Sequence, residues 1–102
     1  MALRPRILVV DDERAVRTAL RVNLTKAGFE VTLASDPAEA RDQLASDGFD
    51  VMLTDVKMPG GTGMELLELA RSAYPDLGVV VMTGFGSVED AVKAMKAGAV
   101  DY

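Results

Sequence analysis

The sequence predicts an α/β domain: a doubly wound parallel sheet with helices on both faces. Three observations predict it. Four short apolar runs alternate with four longer segments of helical period, and repeated βα units join parallel strands through right-handed crossovers. Three of the four runs are almost unbroken Val, Ile, Leu and Met, the composition of strands covered on both faces. The chain has 102 residues, enough for one core and too few for two, so residues 1–102 read as a single domain without linker or repeat.

The first strand is expected over Arg6–Val10. The helix after it places Val16, Leu20, Leu24 and Ala27 on one face, and Gly28 follows as a left-handed C-terminal cap. Glu30–Ala34 is the second strand. Asp36-Pro37-Ala38-Glu39 then combines an N-cap, a proline at the first helical position and a glutamate at the third. Ala40 and Leu44 mark the inner face of this second helix, and Gly48 is expected to cap its end. Residues 51–54 form the third strand. Thr62-Gly63-Met64-Glu65 repeats the capping-box spacing before a third helix whose inner face is Leu66, Leu67, Ala70 and Ala73. Pro75-Asp76 stops that helix ahead of the fourth strand, Gly78–Met82. Ser87 opens a fourth helix with Val88, Ala91, Val92 and Met95 inward, and Gly98 closes it.

Composition narrows the chemistry. Without cysteine there is no disulfide scaffold, thiol nucleophile or thiolate metal site, and without histidine no Ser–His couple or His-ligated zinc. A formal net charge of −5 disfavours direct nucleic-acid binding, because phosphate neutralisation needs a basic surface. The apolar run 7–10 is closed at once by Asp11 and Asp12, too short for a signal-peptide core or a membrane span. No membrane association and a cytoplasmic location are the expectation.

In doubly wound sheets ligands bind outside the carboxyl ends of the strands. There the first strand is followed by Asp11-Asp12-Glu13, the third by Asp55 and the fourth by Thr83-Gly84. Three carboxylates gathered on one rim repel one another and are eased by a cation among them. An all-oxygen donor set suits Mg²⁺ or Mn²⁺, which keeps water sites open for a phosphoryl oxygen. A carboxylate beside such an ion can attack phosphorus, and a hydroxyl across the site can hydrogen-bond the transferred group. Taken singly, an Asp after a strand is a helix cap and a Thr is a turn residue; it is their conjunction at three strand ends that points to phosphoryl chemistry.

The chain resembles the receiver domain of two-component response regulators. The resemblance rests on Ile7-Leu8-Val9-Val10-Asp11-Asp12-Glu13, on Val51-Met52-Leu53-Thr54-Asp55-Val56-Lys57-Met58-Pro59-Gly60 with Gly63, on Val81-Met82-Thr83-Gly84 and on Ala97-Gly98-Ala99-Val100-Asp101-Tyr102. It implies a flavodoxin-like sheet of order 2-1-3-4. It also implies a phosphorylation-dependent signalling switch and not an enzyme. Asp55 would accept a phosphoryl group from a histidine of a sensor kinase. Asp12 would ligate Mg²⁺ directly, Asp11 mainly through water, and Asp55 and the Lys57 backbone carbonyl would complete the protein ligands. Lys57, Thr83 and Gly84 would contact the phosphoryl group. Thr83 would be the switch hydroxyl, and Tyr102 the aromatic that reports its movement. Met58-Pro59-Gly60 would shape the loop after Asp55. Residues 82–99 are similar to receivers of the NtrC class, which implies AAA+ ATPase and DNA-binding output domains in the parent protein.

The same resemblance implies a fifth strand, a lysine and a fifth helix beyond Tyr102. The sequence contains none of them, so the expectation is a C-terminally incomplete receiver with no catalytic lysine and with part of one sheet face bare, which either self-associates as a homodimer across the fourth-strand edge and that face or is marginally folded. Rival readings fare less well. A phosphohydrolase of the haloacid dehalogenase type needs a second Asp where Lys57 stands, and an FMN-binding loop would be repelled by Asp11-Asp12-Glu13. A receiver-like interaction module without phosphorylation is the remaining alternative. Lys57 and Phe85 flank the water approach and carry no side-chain acceptor, so a long-lived phosphorylated state is expected in the intact protein. Arg14, Arg17 and Arg21 read as a solvated stripe on the first helix. Ala15, Thr18 and Val22 lie opposite its core face, with Val22 as a partner-contact candidate.

Overall fold

The computed structural model describes residues 4–55, 57–58 and 61–82. They form β1 (Arg6–Val10), α1 (Arg14–Lys26), β2 (Glu30–Ala34), α2 (Pro37–Ser46), β3 (Val51–Asp55), β4 (Lys57–Met58), β5 (Gly61–Thr62), α3 (Gly63–Ala73) and β6 (Gly78–Met82). The four long strands make one sheet in the order β2-β1-β3-β6, parallel throughout, which is the expected 2-1-3-4 arrangement. The third strand runs one residue further than the apolar run, to Asp55. The expected fourth helix, with Ser87 and Gly98, lies outside the described residues.

Register decides which side chains share a face. Leu8 aligns with Thr32 and Met52, and Met52 with Val79; Val10 aligns with Ala34 and Thr54, and Thr54 with Val81. This face carries the core. Leu8, Val10, Met52, Val79 and Val81 pack with Ala40 and Leu44 of α2 and with Leu66, Leu67 and Ala70 of α3. The opposite face is covered unevenly. Among the described elements α1 packs on β1 and β2, where Ile7 and Val9 are buried, whereas Val51, Leu53 and Val80 stay half-buried. Partial cover of this face accords with a sheet whose fifth helix the sequence does not contain. α1 buries none of its residues; Val16, Leu20 and Leu24 are half-buried. Ala27 and Ala73 are exposed, contrary to the periodicity. Ala27 is the C-cap of α1 and Ala73 the last residue of α3, where the chain is leaving the sheet; after α3 it is Tyr74 that packs on the core.

The helix ends follow capping chemistry with one exception. At the end of α1 the Phe29 N–H donates to the Leu24 carbonyl and the Gly28 N–H to the Thr25 carbonyl, both at 3.1 Å, with Gly28 at φ 99°. This is the paired pattern of a left-handed glycine cap. Gly48 does not repeat it. α2 ends at Asp47 in extended backbone, its N–H bonded to Gln43, and Gly48 has no positive φ. The chain leaves α2 toward β3 without the reversal that a left-handed residue provides. At the start of α2 the Asp36 carboxylate accepts the Glu39 N–H at 2.8 Å, and Glu39 in turn accepts the Ser35 hydroxyl at 2.9 Å. Asp36→Ala is expected to cost about 1 kcal/mol and to lower the melting temperature by roughly 4–8 °C, measured by thermal denaturation.

β4 and β5 pair antiparallel, Lys57 with Thr62 and Met58 with Gly61, a small ladder where the sequence predicts only a loop. At the amino ends of the long strands Asp50 locks β1 to β3. Its carboxylate accepts the Arg6 N–H and its own N–H donates to the Arg6 carbonyl, both at 2.8 Å. The other end of the sheet is thereby left to the acidic residues.

Candidate metal and phosphoacceptor site

Val10 and Thr54 are register partners on adjacent parallel strands, so the residues that follow them, Asp11 and Asp55, emerge at the same end of the sheet. The Asp11 N–H prolongs the ladder by donating to the Ala34 carbonyl at 3.1 Å. Asp11 is only 5% exposed, and one of its carboxylate oxygens accepts the Glu13 N–H at 2.8 Å. Asp12 is exposed and Asp55 half-buried. One carboxylate oxygen from each of the three lies within 4.8 Å of the others. The structure thus brings together the three aspartates that the strand ends nominate.

Two further contacts brace them. Thr54, fully buried, donates its hydroxyl to the Asp55 carbonyl at 3.1 Å, and Arg17 donates from Nη1 to the Asp11 carbonyl at 2.7 Å. Arg17 thus differs from the solvated stripe that its spacing with Arg14 and Arg21 predicts. Lys57 lies two residues beyond Asp55, in β4. Thr83, Gly84, Phe85 and Tyr102 lie outside the described residues. Val22 is 45% exposed, and with Ala15 and Thr18 it lines a shallow depression on α1.

Burial raises the Asp11 carboxyl above its ordinary 3.8; the Glu13 amide lowers it, and the charges of Asp55, Asp12 and Glu13 raise it further. A carboxyl raised in this way opposes folding once ionised. The folded state holds its proton to higher pH than the unfolded chain, so stability falls as pH rises from 3.8 through the folded value and stays lowered above it. Asp11→Asn keeps the oxygen that accepts from Glu13 and removes the charge. In chelator the variant is expected to melt above the parent at neutral pH, with the gap closing as pH falls through the carboxylate range. A lower melting temperature for the variant at neutral pH would contradict the electrostatic account.

The donor set fits a hard divalent cation. Magnesium takes oxygen ligands at about 2.0–2.1 Å, so oxygens on opposite sides of it stand about 4.2 Å apart. Three carboxylate oxygens within 4.8 Å can meet that ion directly or through water with small side-chain adjustments. Nitrogen and sulfur donors, which would favour zinc or copper, are absent from the cluster.

The model of the response regulator receiver domain family matches residues 7–102. Response regulator MprA of Mycobacterium avium is 47% identical over 97 residues, covering 95% of this chain and 42% of that protein. Response regulator protein FleR of Pseudomonas aeruginosa is 42% identical over 97 residues, covering 95% of this chain and 20% of that protein. The chain therefore spans less than half the length of these relatives. Among solved structures, response regulator protein TrrA of Thermotoga maritima in complex with Mg²⁺–BeF superposes with a TM-score of 0.87 at 31% identity, covering 96% of this chain and 84% of that one. Among the described residues no helix is long and apolar enough to cross a membrane.

Proposed function

The chain belongs to the response regulator receiver domain family, whose members are signalling switches and not classical enzymes, and on that premise we propose that Asp55 accepts a phosphoryl group from a sensor histidine kinase. The observation that carries the proposal is the carboxylate of Asp55 at the end of β3, clustered with those of Asp11 and Asp12. A carboxylate oxygen of Asp55 forms the new P–O bond as the P–N bond of the phosphohistidine breaks, and the departing imidazole nitrogen takes a proton from solvent. The product is an acyl phosphate on Asp55.

Asp11, Asp12, Asp55 and the Lys57 carbonyl would hold Mg²⁺, which when bound offsets charge on the phosphoryl oxygens. TrrA, crystallised with Mg²⁺–BeF, supports that choice of ion. Asp11, across the site from Asp55, is held by three hydrogen bonds: its N–H donates to the Ala34 carbonyl, its carboxylate accepts the Glu13 N–H and its carbonyl accepts Arg17 Nη1. Lys57, Thr83 and Gly84 contact the transferred group, and Thr83 with Tyr102 passes the change to the output surface. The α1 surface around Val22 receives the kinase. The likeness of residues 82–99 to receivers of the NtrC class supports AAA+ and DNA-binding output domains in the parent protein, and the setting is cytoplasmic.

The test is incubation with phosphoramidate, with and without Mg²⁺, followed by intact-mass and peptide analysis. The expected result is one phosphoryl group on Asp55, dependent on Mg²⁺, stable in acid and labile in base. Label on a hydroxyl residue, or none with Mg²⁺ present, would overturn the assignment.

A further inference from the structure

We infer that Arg17 is a positioning residue for the cation site, a role that rests on reading Asp11, Asp12 and Asp55 as the ligands of a divalent ion. From the first turns of α1 it reaches back six residues and donates from Nη1 to the carbonyl of Asp11 at 2.7 Å. That oxygen belongs to the peptide joining the two acidic residues. A peptide unit is planar, so holding its oxygen also fixes the direction of the bond leading into Asp12. Asp12 needs that support from outside: its carboxylate is exposed and has no hydrogen-bond partner among the described residues. The N–H of Asp11 is held by Ala34, one of its carboxylate oxygens by the Glu13 amide, and its carbonyl by Arg17. Without the last of these, the peptide between the ligands is free to rotate.

Arg17 is distinct from its neighbours on the helix. It is half-buried, whereas Arg14 and Arg21 are exposed. A guanidinium also suits the task, since it keeps its charge at every working pH and presents several donors in a rigid plane. Two effects oppose one another here. As a cation near the cluster, Arg17 repels a metal ion; as a tether, it pre-organises the ligands. Groups that orient metal ligands in this way are typically worth 10–100-fold in metal affinity, whereas a screened charge near the surface acts weakly. The tether therefore prevails.

The experiment is calorimetric titration of the folded protein with Mg²⁺ and with Mn²⁺, for the wild type, Arg17→Met, Arg17→Lys, Arg14→Met and Arg21→Met. A thermal melt of each variant shows that it is folded. Arg17→Met is expected to weaken binding roughly 10-fold. Arg17→Lys, which keeps the charge and one donor, recovers part of the loss. Arg14→Met and Arg21→Met bind the ions as tightly as the wild type or slightly more tightly, since they remove charge without removing a tether. If Arg17→Met fails to fold, Arg17→Lys carries the test: unchanged affinity in Arg17→Lys together with tighter binding in Arg14→Met and Arg21→Met means that only charge matters, and overturns the role. Affinity in Arg17→Met equal to or above that of the wild type also overturns it, with the cation reading intact. No binding by the wild type overturns the cation reading itself, and the role with it.

Discussion

Asp55→Asn is expected to abolish covalent phosphorylation while leaving the domain folded. The substitution keeps the size of the side chain and one carbonyl oxygen, but the amide is no nucleophile toward phosphorus. It also removes one of three negative charges held within 4.8 Å of one another. At that distance each like-charge pair costs about 1 kcal/mol in a water-like dielectric, more where the site is drier. The metal-free variant should therefore melt somewhat higher than the parent, which separates loss of function from loss of fold. Asp50→Asn is the control. Asp50 sits at the amino ends of the strands, where its carboxylate accepts the Arg6 N–H, a contact that an asparagine oxygen can keep. That variant should take up phosphate as the wild type does. Intact mass after incubation with phosphoramidate and Mg²⁺ decides the matter: phosphate on the Asp55→Asn chain would remove Asp55 as acceptor.

The sequence made the strands legible because each apolar run is bounded by a change of character. Glu30, Asp50 and Gly78 mark the starts, and Asp11 marks an end. Only Asp55 was set outside its strand, since an aspartate after an apolar run looks like loop, although its backbone still pairs with Met82. The β4–β5 pair was missed because two residues a side have no period; Met58-Pro59-Gly60-Gly61 gave a turn signal but no strand signal. The unequal cover of the two sheet faces follows from the missing fifth helix, but which residues of β3 it leaves half-buried is decided by register and not by the apolar run, whose burial alternates. Helical period carried Ala27 and Ala73 inward because periodicity continues through a last turn whose packing has already ended.

At the site the three aspartates were legible because charge at a strand end is unmistakable. Arg17 was not. On the helix it belongs to a regular stripe with Arg14 and Arg21, and only the three-dimensional path of the loop sets it apart. Its one sequence signal is a separation of six residues from the strand-end acid, which acquires meaning once the helix is known to begin at Arg14. Thr54 gave a different kind of signal: a hydroxyl inside an apolar run, which must find a partner when buried, and it finds the carbonyl of Asp55.

The largest stability effect is expected from Leu8→Ala. Leu8 has no exposed surface and sits mid-strand in β1, flanked in register by Thr32 and Met52, within the core formed with α2 and α3. Truncating a fully buried leucine costs about 2–5 kcal/mol, because the removed methyl groups lose their burial and the surroundings only partly close the cavity. Against a whole-domain stability of about 5–15 kcal/mol, such a loss leaves the domain marginal. β1 also carries Asp11 and Asp12 at its end, so a loosened β1 should weaken Mg²⁺ binding as well as the fold. Leu53→Ala is the informative comparison. Leu53 is the neighbour of Val9 on the opposite face and is only half-buried. Its truncation deletes the same atoms but forfeits less buried area and leaves a dent open to water instead of a closed void, so the loss should be about half as large or less. Urea denaturation of the two variants beside the wild type measures the difference. Equal losses would mean that the second sheet face is covered as well as the first, and that the asymmetry between α1 on one side and α2 with α3 on the other does not govern stability.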